Sequence, residues 1–146
     1  MVRRAVVDTS VLVSALRSDG GAAREVVRRC LGGWIEPQMG NALFTEIEDV
    51  FARSTPFQGS AASAKERDIV LDAFFSRCRW VEVSYLWRPN LRDEADNHVI
   101  ELAVASGTKT IVTHNLRDME SGELAFPSIR IVGPGNALAM WETEES

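Results

Sequence analysis

Several residue types are scarce in this chain of 146 residues, and each scarcity excludes something. Cysteine occurs only as Cys30 and Cys78, with no CxxC pair and no His-rich spacing beside them. That excludes a disulfide framework and a cysteine–histidine zinc site, and both residues are expected as buried thiols. No apolar run approaches the roughly 20 residues that cross a bilayer. The start, Met1-Val2-Arg3-Arg4, leads into a strand-like stretch holding Asp8 rather than into the apolar core of a secretion signal. No membrane role and a cytoplasmic location are therefore expected. Lysine is limited to Lys65 and Lys109, and the formal net charge is −5. Such a balance argues against a protein that coats nucleic acid through bulk positive charge. It leaves room for an acidic, metal-requiring site with arginines placed elsewhere to hold phosphate.

What is present describes one globular domain: 45% apolar residues, 25% charged residues, 10 Gly and 5 Pro. It is expected to span residues 1–141, followed by a disordered acidic tail at 142–146. Of the 16 basic residues 14 are arginine, the type suited to planar, bidentate phosphate recognition.

Apolar periodicity alternates between strands and helices. Arg4-Ala5-Val6-Val7-Asp8 reads as a buried strand that runs into a helix carrying Val11, Leu12, Ala15 and Leu16. Gly20-Gly21 breaks that helix, and a second spans Ala22 to Leu31 before Gly32-Gly33. A short strand is expected at Trp34–Pro37 and an amphipathic helix from Met39 to Arg53, with Leu43, Ile47, Val50 and Phe51 on its apolar face. Residues 54–63 read as a mobile loop, 64–76 as a helix and 79–84 as a strand, with a further loop through Pro89. The clearest helix runs from Asn97 to Ser106, started by Asp96 and closed by Gly107. Strands at Lys109–Thr113 and Ile129–Val132 and a helix from Gly135 to Trp141 complete the chain. The alternation implies a parallel sheet covered by helices on both faces.

In such sheets ligands bind beyond the carboxyl ends of the strands. Asp8 ends the first strand; Glu46 lies in the first two turns of a helix that starts at that edge. Asp96 begins another helix there, and the segment from Thr113 to Asp118 leaves a strand at the same edge. Four segments thus bring carboxylates toward one cleft, where mutual repulsion raises the cost of keeping them ionised. A divalent cation resolves the conflict, and oxygen-only donors point to Mg²⁺ or Mn²⁺. One or two such ions suit hydrolysis of a phosphodiester by activated water. Each acid also has a purely structural use: Asp8 and Asp96 as helix caps, Glu46 as a solvated helix acid, Asp93 and Asp118 as turn residues. His98 reads as a helix-face residue, His114 as one that can touch substrate, and neither as a metal ligand. Arg24, Arg28 and Arg29 on one helix, and Arg88 and Arg92 before Asp93, either hold a phosphate backbone or are solvated. Trp34, Trp80, Trp87 and Trp141 read as core or interface residues.

Val6-Val7-Asp8-Thr9-Ser10-Val11-Leu12-Val13-Ser14-Ala15-Leu16 resembles the opening motif of PIN domains. Glu46 matches the helix glutamate of that family, and Arg92-Asp93-Glu94-Ala95-Asp96-Asn97-His98-Val99-Ile100 resembles its third acidic motif. Ile111-Val112-Thr113-His114-Asn115-Leu116-Arg117-Asp118 resembles the fourth. The resemblance covers roughly Val2 to Val132 and implies a three-layer α/β/α domain with a central, mainly parallel sheet. It further implies a Mg²⁺- or Mn²⁺-dependent endoribonuclease of the toxin type (VapC-like), partnered by a protein antitoxin and homodimeric. Asp8, Glu46 and Asp96 carry over as core catalytic and metal-binding acids, Asp93 as an accessory metal ligand and Asp118 as a further one. Thr9, Ser10 and Thr113 would orient the carboxylates or the attacking water. The chain departs from the family at Asn115, where many members have Asp, and at Met119, where an aromatic often follows Asp118. Either Asn115 or Asp118 can complete the site.

Two other classes compete with the nuclease. A noncatalytic module that keeps the fold and binds RNA or antitoxin is favoured by the altered fourth motif. A phosphatase of the haloacid dehalogenase kind is suggested by Val-Asp-Thr at a strand end. That chemistry calls for a second Asp two residues on, where Ser10 stands, and for a nearby lysine.

Overall fold

The computed structural model describes residues 2–17, 21–53, 55–60, 62–83, 97–116 and 128–145. Its centre is β1 (Arg3–Val7), whose Ala5, Val6 and Val7 are at most 1% exposed. A strand covered on both faces needs such an unbroken apolar run. β1 lies between β2 (Ile35–Met39) and β4 (Thr110–Val112), while β3 (Arg79–Trp80) and β5 (Arg130–Val132) form the edges. All four pairings are parallel and the order is β3-β2-β1-β4-β5. Helices α1 (Thr9–Arg17) and α2 (Ala22–Leu31) connect β1 to β2. α3 (Asn41–Phe51) and α4 (Ala64–Arg77) connect β2 to β3. α5 (Asn97–Ser106) precedes β4 and packs on β1, β2 and β4, and α6 (Pro134–Glu145) closes the chain against α2. This is the expected three-layer α/β/α arrangement. Its sheet is wholly parallel.

The strand order reverses direction between β1 and β4. In a doubly wound sheet that reversal opens a crevice at the carboxyl ends of the two strands, because the connections leave toward opposite sides. Asp8 follows β1 and Thr113 follows β4, so both stand at this crevice.

Several expected boundaries move. β2 runs to Met39 rather than stopping at Pro37, and α3 begins at Asn41 rather than Met39. Tertiary pairing decides this: Ala5 faces Pro37 on one side, while Gln38 and Met39 pair with Arg79 and Trp80 on the other. Gln38 is fully buried and satisfied, its amide donating to the Glu36 carbonyl at 3.0 Å and its oxygen accepting from Arg79 at 3.2 Å. Gly40 then turns the chain into α3 in a tight space, since a Cβ there would sit 3.4 Å from Leu102 and 3.5 Å from the Val81 carbonyl. β3 is only two residues long instead of the expected six, with one further bond from Val81 N–H to Met39.

The loop after α3 is anchored rather than loose over its described residues. A 3-10 turn at Thr55–Phe57 buries Phe57 against Phe51, Arg67 lies 4.3 Å over its ring, and Ser60 donates to the Leu16 carbonyl at 2.8 Å. The acidic tail expected to be disordered is helical through Glu145. Pro134 suits a first helical turn. Farther along α6, Glu144 reaches Arg3 at 2.7 Å and Arg130 at 3.1 Å, and Glu142 reaches Arg29 at 3.4 Å.

Cys30 is fully buried and Cys78 partly so. Burial, reinforced by Cys78, pushes the Cys30 thiol far up, and burial lifts Cys78 to about 12. Both stay protonated at neutral pH, which removes them as nucleophiles. Of the tryptophans, Trp141 is buried, Trp34 and Trp80 are exposed, and Trp87 lies outside the described residues.

Candidate active site

Asp8 is 2% exposed, yet it opens a cleft. Its backbone N–H continues the sheet by donating to Val112, and its carbonyl accepts the first bond of α1 from Val11. The carboxylate therefore leaves the strand end with little freedom. Its Oδ2 accepts from the Ser10 hydroxyl at 2.7 Å and from the Thr113 hydroxyl at 2.9 Å. The Ser10 N–H, which a cap would engage, is long at 3.4 Å. Asp8 is a helix-start residue, but side-chain hydroxyls are its stronger partners.

Proton direction at those hydroxyls follows from elementary inventory. A carboxylate only accepts and each hydroxyl has one proton, so both protons point at Oδ2. The hydroxyl oxygens in turn accept backbone N–H groups: His114 donates to Ser10 at 3.1 Å and Asn115 to Thr113 at 2.9 Å. The turn after β4 is thereby fastened to the start of α1. Every hydrogen bond to the Asp8 side chain from the described residues ends on Oδ2.

Glu46 comes from the second turn of α3 and lines the same cleft. The Thr9 hydroxyl donates to its Oε1, and His98 Nε2 lies 3.2 Å from its Oε2. Thr9, Glu46 and His98 belong to α1, α3 and α5, so three helices meet at one carboxylate. The helix-face reading of His98 did not anticipate this contact with Glu46. The available signal was its place in the first turn of α5, at the same sheet edge as Glu46.

The cleft encloses about 670 Å³ and extends from Asp8 along the seam of α1 and α3 to Arg17, with Val13 and Val50 on its walls. Thr9, Ser10, His114 and Asn115 also line it. Arg17, not singled out from the sequence, is a cation in this groove and makes no ion pair among the described residues. Arg24 and Arg28 line a separate, smaller pocket with Val27 and Val70, Arg24 donating to the Ala15 carbonyl at 3.3 Å. Arg29 pairs with Glu25 and Glu142.

Asp93, Asp96, Asp118, Arg88 and Arg92 lie outside the described residues. Among the described residues no group of three or more His, Cys, Asp or Glu forms a metal site. Among the described residues, Asp8 and Glu46 are the acids that line the cleft. Their chemistry fits a hard cation, since both are carboxylate oxygen donors lining one cleft.

Among curated proteins no sequence matches this chain. One solved structure similar to it is that of VapBC2 from Rickettsia felis bound to a DNA fragment from their promoter, with a TM-score of 0.55, 14% identity, and coverage of 88% of this chain and 96% of that one. At that identity the likeness is one of fold. Residues 4–117 match the PIN domain family. With most of the chain inside that match, and with the opening-motif aspartate seated at the crevice of a doubly wound sheet, the chain belongs to the PIN domain family.

Proposed function

We propose that this protein is a Mg²⁺- or Mn²⁺-dependent endoribonuclease and the toxin member of a toxin–antitoxin pair. The observation that carries the reading is Asp8, immobilised through Oδ2 by Ser10 and Thr113 and sharing an open cleft with Glu46. Asp8, Glu46, Asp96 and Asp118 hold the ion, with Asp93 as an accessory ligand. When bound, such an ion neutralises charge on the phosphodiester and makes water nucleophilic at neutral pH. Ser10 and Thr113 keep Asp8 aimed, Thr9 keeps Glu46 aimed, and Arg17 offers positive charge to a phosphate farther along the groove. Arg88 and Arg92 extend RNA contact beside Asp93. The antitoxin partner, the homodimer and the cytoplasmic location rest on the family resemblance, and the partner also on the likeness to VapBC2.

The phosphatase reading loses its support. No lysine lines the cleft, and Lys109 precedes β4, at the strand end opposite Asp8. The noncatalytic binding module keeps one favourable observation, since Asn115 brings an amide rather than a carboxylate to the cleft.

The test is cleavage of labelled structured and single-stranded RNA by purified protein freed of any bound partner. Cleavage is expected with Mg²⁺ or Mn²⁺, none with EDTA, and a fall of about two orders of magnitude or more in Asp8→Asn and Glu46→Gln. Folded protein that binds RNA and leaves it intact under all these conditions selects the binding module.

A further inference from the structure

We propose that His98 is a positioning residue: it donates a hydrogen bond from Nε2 to Oε2 of Glu46 and so sets the direction in which that carboxylate meets a divalent cation. The inference rests on the metal-dependent reading above and adds a residue to it. An ionised Glu46 has no proton to give, so a 3.2 Å contact with a ring nitrogen requires the proton on Nε2. Thr9 holds the other oxygen, Oε1. The carboxylate is gripped at both oxygens by neighbours from different helices, so its plane is fixed. Burial makes the grip definite: the His98 side chain is 14% exposed and that of Glu46 30%.

Asp8 and Glu46 are prepared differently. Asp8 is held through one oxygen by two hydroxyls on the neighbouring strand end and helix start. Glu46 sits on α3, whose side chain must reach out from the helix, and without lateral support it would sample several rotamers. His98 supplies support from α5 and also ties α5 to α3 at the cleft.

The experiment measures Mn²⁺ binding to full-length wild type, His98→Gln, His98→Leu and His98→Asn by the loss of the free-ion paramagnetic resonance signal, alongside RNA cleavage and thermal melting. Gln places an amide donor near the position of Nε2, whereas Leu has none and Asn is too short. Leu and Asn variants are expected to bind Mn²⁺ about tenfold or more weakly, with Gln within about threefold of wild type. Nitrogen-resolved spectra add a readout that needs no metal. With only two histidines in the chain, the His98 ring is assigned by its loss in His98→Gln, and a proton on Nε2 is expected. Wild-type Mn²⁺ affinity in a folded Leu variant, or in the Asn variant should Leu not fold, overturns the role of His98 alone. A proton found only on Nδ1 does the same. Wild type that binds no Mn²⁺ overturns the metal-dependent reading and the role of His98 toward the ion together.

Discussion

Thr113 joins two chain segments through a single oxygen, donating to Asp8 Oδ2 while accepting from the Asn115 N–H, and it is fully buried. Thr113→Val conserves shape and deletes both bonds, leaving a buried carboxylate with one donor fewer and a backbone N–H without an acceptor. A loss of about 1–3 kcal/mol in stability is expected from urea denaturation, with a fall of about tenfold in cleavage rate. Thr113→Ser keeps the hydroxyl and should retain most of both. The approach of Thr113 to the carboxyl edge was readable from its place at the end of the expected strand Lys109–Thr113. The contact of His98 with Glu46 was not, because a histidine beside Val99 and Ile100 on a helix is as well explained by packing, and its partner lies 52 positions away.

Among the helices, α4 shows its sequence-level logic most openly. Ser63 accepts from the Glu66 N–H at 3.1 Å, and Glu66 accepts from the Ser63 N–H at 3.0 Å, a reciprocal capping box. Ser63→Ala is expected to cost about 1 kcal/mol in thermal or urea unfolding. The hydrogen bonds from the Ser63 backbone and hydroxyl hold the Glu66 carboxyl below its ordinary 4.5. A depressed pKa in the folded state stabilises above the unfolded value, and the gain disappears as pH falls through the folded one. The stability difference between wild type and Glu66→Gln should therefore be full near neutrality and shrink as pH drops below 4.5. α6 teaches the opposite lesson. Glu142 and Glu144 look like a solvated tail in the sequence, whereas in the fold they lie on a helix and meet Arg29, Arg3 and Arg130 from other elements.

The whole molecule is acidic, yet its groove carries Arg17 about 12 Å along α1 from Thr9, by helical rise. RNA binding should weaken with added salt, and Arg17→Ala should lower the slope of log affinity against log salt by about one. Arg24 and Arg28 line a different pocket. Filter binding of Arg24→Ala/Arg28→Ala at several salt concentrations is the comparison: an unchanged slope places the phosphate contact on the Arg17 side, and an equal loss places it on α2. The global fold also explains why the cleft is where it is. Strand order β3-β2-β1-β4-β5 puts the reversal between β1 and β4, and the partners Ser10 and Thr113, 103 residues apart, close over Asp8 there.

By itself the sequence determined the alternation of strands and helices, the central buried strand, the bounds of α2 and α5, and the acidic character of the carboxyl edge. These follow from periodicity, glycine placement and local chemistry, which act over a few residues. The opening motif, with Asp8 flanked by Thr9 and Ser10, was legible for the same reason. Tertiary structure alone decided the strand order, the length of β2, the helical tail, the route of the groove to Arg17 and the grip of His98 on Glu46. Each depends on groups far apart in the chain that meet only after the sheet has formed, and hydrogen bonds and ion pairs of that kind leave no period in the sequence.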